Sequence, residues 1–149
     1  MSSELRSLYQ EFILDHNKNP RNFRVMENAD KVVEAYNPLC GDQYTLYVKF
    51  DDDVVKDISF KGSGCAISKA SASVMTTVVK GKSKEEIRHW FEIFHELVTG
   101  KVTGDPEEMG KLAAFSGVSE FPARVKCASL AWHTVKSAVE SNEERVSTE

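Results

Sequence analysis

The chain changes its hydrophobic period once, and that change limits the folds open to it. From Gln43 to Phe50 apolar and polar residues alternate strictly, with Tyr44, Leu46, Val48 and Phe50 on one face. Asp51-Asp52-Asp53 reads as a turn, and Val54 to Phe60 returns with Ile58 and Phe60 in phase. A period of two marks half-buried strands, so the two runs predict a hairpin. Lys31 to Tyr36 is a shorter, weaker run that adds a third strand. After Lys61-Gly62-Ser63-Gly64 the spacing becomes helical. Ile67, Ala70, Ser71, Val74, Met75 and Val78 share one face, and Gly81 closes the helix.

Helices flank this switch. Leu5, Leu8, Tyr9, Phe12 and Ile13 give an amphipathic first helix that stops near Asn17, because Asn19-Pro20 disfavours helix. An irregular polar stretch, Arg21 to Asp30, follows. Ser83-Lys84-Glu85-Glu86 is a capping box, opening a helix whose apolar face is Ile87, Trp90, Phe91, Phe94 and Val98. Asp105-Pro106 starts a short helix with Met109, Leu112 and Ala113 that ends at Gly117. Pro122 opens a long last helix with Val125, Ala128, Trp132, Val135 and Val139 inward. Strands first and helices afterwards predict an α+β fold, a small three-stranded antiparallel sheet with helices packed on one face. At 149 residues the chain reads as one domain, 1–149, with 141–149 as a charged, frayed tail.

Composition removes several functions. The formal net charge of −4 makes a poor nucleic-acid binder by bulk electrostatics, and no apolar run is long enough for a membrane span. Met1-Ser2-Ser3-Glu4-Leu5-Arg6 has no basic and apolar signal-peptide pattern, so a cytoplasmic protein is expected. Three cysteines is an odd number, and cytosolic thiols stay reduced, so a disulfide framework is not expected.

The placement of those cysteines carries the chemistry. Cys40 lies in the turn Asn37-Pro38-Leu39-Cys40-Gly41-Asp42, and Asp42 leaves an extended chain on the same side. Cys65 follows Gly62-Ser63-Gly64 at the start of a helix, where the dipole favours thiolate. Cys127 lies early in the last helix, three residues after Arg124 and next to Lys126. Three thiolates and one carboxylate suit a tetrahedral zinc site of Cys40, Asp42, Cys65 and Cys127, its excess negative charge offset by Arg124 and Lys126. The competing reading is that each cysteine is a small buried hydrophobe, Cys127 above all. There is no Cys-x-x-Cys pair. His16, His89 and His95 read as surface or satisfied helix residues. His133 lies six positions after Cys127, about 600° of helix rotation, and points elsewhere. Neither a Ser/His/Asp arrangement nor a phosphate-loop lysine is present.

The segments Asn37-Pro38-Leu39-Cys40-Gly41-Asp42, Gly62-Ser63-Gly64-Cys65-Ala66-Ile67-Ser68 and Arg124-Val125-Lys126-Cys127-Ala128 resemble the iron–sulfur scaffold superfamily of IscU and the NifU N-terminal domain. The resemblance runs from Leu8-Tyr9 through the last helix and is greatest to the SufU branch. IscU-type scaffolds carry histidine just before the last cysteine, where this chain has Lys126. The piece from Gly100 to Gly117 also resembles a SufU-like insertion.

The resemblance implies that the three cysteines and Asp42 converge on one metal. It further implies a zinc-dependent sulfurtransferase that accepts persulfide sulfur from a PLP-dependent cysteine desulfurase of the SufS type, PLP belonging to the partner. Cys40, on a glycine-flanked turn free of helix constraint, is the expected acceptor, and Arg124 a supporting cation. Downstream iron–sulfur assembly proteins are expected to take the sulfur. The alternative is an IscU-like scaffold holding a transient [2Fe–2S] cluster on the same four ligands, and a third reading is a structural zinc adaptor.

Overall fold

A computed structural model of the chain describes residues 3–38, 40–102, 109–140 and 145–147. Helix α1 (Ser3–Lys18) precedes strands β1 (Lys31–Asn37), β2 (Asp42–Asp51) and β3 (Val54–Ser63). Helices α2 (Ala66–Val79) and α3 (Lys84–Val98), a 3₁₀ segment (Gly110–Glu120), helix α4 (Pro122–Glu140) and strand β4 (Arg145–Ser147) follow.

The predicted hairpin forms. β2 pairs antiparallel with β3, and β1 pairs antiparallel with β2. Asp52, with φ of 52°, takes the left-handed conformation that turns the chain between β2 and β3. A register shift between Lys49 and Phe50 bulges the ladder and leaves Phe50 half-buried rather than in the core. The sheet has four strands in the order β3-β2-β1-β4, which corrects the expected three. β4 pairs parallel with β1, Val146 opposite Ala35, so part of the expected frayed tail is strand. Parallel pairing was not foreseen because Arg145-Val146-Ser147 is too short to show a period.

One face of the sheet carries the core. Val33, Ala35, Leu46, Val48, Ile58 and Phe60 are buried and belong to one apolar cluster with residues of α2 and α4. Val32 and Tyr36, on the other face of β1, are exposed. α3 and the 3₁₀ segment pack on α4 as an outer layer, where Phe94 stacks on Trp132 at 4.8 Å between ring centroids. The predicted capping box is present: Ser83 Oγ accepts from the Glu86 N–H at 3.1 Å, and Glu86 Oε1 accepts from the Ser83 N–H at 3.1 Å. The expected start at Asp105-Pro106 lies outside the described residues. The turns beyond it are 3₁₀ and run past Gly117 to Glu120. No helix of the described residues is long and apolar enough to cross a membrane.

His16 is buried inside the fold. Its Nδ1 lies 2.7 Å from Ser73 Oγ on α2, which also accepts from the Arg21 N–H at 2.8 Å. Burial first, and the Arg21 charge second, lower its pKa to about 4.

Candidate metal centre

Two strand ends and two helices meet at one corner. On β1, Val33, Ala35 and Asn37 alternate inward, and on β2 Asp42, Tyr44, Leu46 and Val48 do the same. The ladder sets Asn37 directly opposite Asp42. The period that buries the core therefore drives one amide and one carboxylate under the helices, and both are 0 % exposed. Gly41, at φ of +70°, lets the short turn between the strands present Cys40.

Buried carboxylates need partners, and Asp42 has them. Its Oδ2 accepts from Asn37 Nδ2 at 3.1 Å, and its Oδ1 accepts from the Cys65 N–H at 2.9 Å. The second contact ties β2 to the N-terminus of α2. Gly64 makes it sterically feasible: a Cβ there would meet the Tyr44 hydroxyl and, at 2.6 Å, Asp42 Oδ1. At Gly62 a Cβ would run into the backbone of Gln43 and Tyr44. The two glycines flanking Ser63 thus allow the strand end to pass close over β2. Burial raises the Tyr44 phenol pKa, so the hydroxyl under this corner stays protonated.

The sulfurs converge on the same corner. Cys40 Sγ lies 2.8 Å from Cys127 Sγ, and Asn37 Nδ2 is 3.5 Å from Cys127 Sγ. All three cysteines are free thiols. Cys127 is fully buried on α4, whereas Cys40 and Cys65 are half-buried. Burial first, then the Cys40 thiol beside it, push the Cys127 thiol pKa up. Arg124, one turn earlier on α4, brings Nη1 to 3.8 Å from Cys40 Sγ. Hydrogen bonding to Cys127 and the charges of the three cysteines raise its own pKa.

Among the described residues, Cys40, Asp42 and Cys127 form a group whose ligand atoms all lie within 4.8 Å of one another. Two sulfurs and a carboxylate oxygen at this spacing are donors that a borderline-soft divalent cation such as zinc accepts. Cys65 stands outside that group. It caps α2, its Sγ accepting from the Ser68 N–H at 3.4 Å, and meets the centre through its backbone bond to Asp42 and through its thiol, which interacts with that of Cys127. Lys126 is half-buried next to Cys127. None of the four histidines lies in that group. Asn37 had no assigned role in the sequence, although its phase with Val33 and Ala35 already marked an inward polar residue.

The fold and this corner define a class: an α+β domain that gathers two thiols and a buried carboxylate from a strand turn and a distant helix. The sequence matches the family described as NifU-like N terminal domain over residues 8–128, and the chain belongs to that family. It is 44% identical over 142 residues to the zinc-dependent sulfurtransferase SufU of Bacillus subtilis, covering 95% of this chain and 96% of that protein. To the iron–sulfur cluster assembly scaffold protein IscU of Streptococcus pyogenes serotype M1 it is 43% identical over 137 residues, 92% of this chain and 86% of that one. The crystal structure of FiSufU from Fervidobacterium islandicum AW-1 superposes with a TM-score of 0.83 at 39% identity, over 93% of this chain and all of that one. The NifU-like N-terminal structure from Brucella abortus has a TM-score of 0.81 at 25% identity, over 92% of this chain and 95% of that one.

Proposed function

We propose that the protein is a zinc-dependent sulfurtransferase of iron–sulfur cluster assembly. It takes persulfide sulfur from a PLP-dependent cysteine desulfurase and passes it to downstream assembly proteins, in a reducing compartment such as the cytoplasm. The observation that carries this reading is Cys40, a half-buried thiol on a four-residue turn beside a buried thiol and a buried carboxylate. The SufU name of the Bacillus subtilis relative supports it.

Cys40, Asp42, Cys65 and Cys127 are the proposed ligands of the metal. Zinc bound there would hold ligating cysteines as thiolates near neutral pH. Asn37 and the Cys65 N–H fix the Asp42 carboxylate, and burial keeps Cys127 on α4 in place. Cys40 is the member free to move, since it lies between β1 and β2 and in no helix, whereas Cys65 caps α2 and Cys127 lies within α4. Its thiolate attacks the outer sulfur of the desulfurase persulfide. The partner's S–S bond breaks, the partner cysteine leaves as thiolate, and Cys40 carries the sulfur as a persulfide, with no net redox change. Arg124, 3.8 Å from Cys40 Sγ, is placed to balance the anionic sulfur.

Peptide mass mapping after incubation with a cysteine desulfurase and cysteine tests this. Persulfide is expected on Cys40, and Cys40→Ser is expected to abolish stimulation of the desulfurase. Persulfide on Cys65 or Cys127 instead would overturn the assignment of roles. Full stimulation by Cys40→Ser would leave an adaptor. The scaffold reading, favoured by the same donor set and the Streptococcus pyogenes relative's name, requires a stable coloured cluster after anaerobic purification.

A further inference from the structure

A second concave feature borders the sulfur centre. It is a groove of about 360 Å³ between α1, the 3₁₀ segment and the start of α4. That volume lies within the usual range for small-molecule sites. Arg124 lines the groove and also contacts Cys40, so the groove and the sulfur centre share a residue.

Its chemistry is mixed in a specific way. Ile67 and the 60 % exposed ring of Phe121 give apolar walls. Arg6 and Arg124 supply two guanidiniums and Glu120 one carboxylate, and among the described residues Arg6 and Glu120 have no ion-pair partner. Tyr9 and Ser116 also line it, but their hydroxyl oxygens are buried beneath its surface. An inorganic anion would leave the apolar walls bare, and an apolar ligand would leave the charges unmet. A zwitterion with a short aliphatic stem meets all of them.

We propose that this groove binds a free amino-acid thiol, which removes the sulfur from Cys40. The inference rests on the sulfurtransferase reading and adds an acceptor to it. The ligand carboxylate is held by guanidinium, which recognises carboxylates in a fork geometry, and its ammonium by Glu120. Its thiolate attacks the outer sulfur of the Cys40 persulfide. The S–S bond breaks, Cys40 leaves as thiolate, and the acceptor departs as a persulfide, with no external oxidant or reductant.

Two measurements on the full chain test this. Persulfide-loaded protein is mixed with L-cysteine or with 2-mercaptoethanol, which lacks both charges, and sulfur release is timed. Release is expected to saturate with L-cysteine and to rise linearly with 2-mercaptoethanol. Arg6→Gln and Glu120→Gln are each expected to raise the half-saturating cysteine concentration roughly ten-fold, with loading of Cys40 unchanged. Calorimetry with unreactive S-methyl-L-cysteine reads the groove independently of sulfur transfer, and the same variants are expected to weaken it similarly. Linear release with both thiols, or saturation and binding untouched by either variant, would overturn the proposal. If the parent chain accepts no sulfur, the sulfurtransferase reading fails on its own, and the calorimetry still decides whether the groove binds the zwitterion.

Discussion

Asp42 reaches the metal corner by continuing the inward phase of β2, and its two carboxylate oxygens are each taken by a buried donor, from Asn37 and from the Cys65 backbone. Removing it leaves the Cys65 N–H without its acceptor, at about 1–3 kcal/mol for an unsatisfied group, and takes one partner from Asn37. Asp42→Ala is therefore expected to lower stability even in the metal-free protein, as read by denaturant unfolding, and parent-like metal-free stability would show that these bonds carry nothing. Metal retention should fall less in Asp42→Ala than in Cys65→Ser, because thiolates bind a borderline-soft ion more strongly than a carboxylate does. Gly64 is the steric counterpart. A methyl group there meets Asp42 Oδ1 and the Tyr44 hydroxyl, so one of them must move. Gly64→Ala is expected to weaken zinc binding in a chelator competition while the sheet stays intact, and unchanged affinity would mean that the corner relaxes freely.

Between elements, the buried His16–Ser73 contact joins α1 to α2 and gives the fold an acid-sensitive seam. Unfolded histidine takes its proton near pH 6.5, whereas His16 in the fold does so near pH 4. Between those values the unfolded chain binds more protons, so this contribution is full above about pH 6.5 and is lost as the pH falls towards 4. Arg21 opposes the imidazolium, while Asp15 favours it less strongly. Chemical denaturation from pH 7 to pH 4 should show this loss, and His16→Gln should flatten that part of the profile. An identical profile in the variant would place the acid sensitivity elsewhere. Elements with a period of their own were legible from residues alone. The β2–β3 hairpin, the Ser83–Glu86 box and the Pro122 helix start needed only local pattern. β4 was not legible, because Arg145-Val146-Ser147 acquires its conformation from pairing with β1. His16 was legible as a satisfied residue, yet its depth was not, since Ser73 lies far along the chain.

At the scale of the whole molecule, the site exists only because distant segments close on one corner, and that closure sets what metal removal does. The phase of Asp42 on β2 and the glycines before Cys65 could be read locally. The approach of Cys127 to Cys40 could not, because it depends on how α4 lies across the sheet, and only the family resemblance supplied it in advance. The core of this sheet and its helices is apolar and continuous without the corner, so the metal-free chain should stay folded. Zinc that binds the folded state and not the unfolded one adds about 2.7 kcal/mol at a hundred-fold excess over its dissociation constant. For a domain of this size each kcal/mol moves the melting temperature by roughly 2–4 °C. Chelation followed by metal analysis should thus lower the melting temperature by about 5–10 °C while the far-ultraviolet dichroism at 25 °C is kept. Re-addition of zinc should restore the loss, less completely at lower pH, where protons compete for the thiols and burial already favours the protonated form of Cys127. An unchanged melting curve after verified zinc removal would mean that the β1–β2 turn, the α2 start and α4 are not tied by the metal. A chain unfolded at 25 °C without zinc would show instead that the apolar core cannot hold the domain by itself.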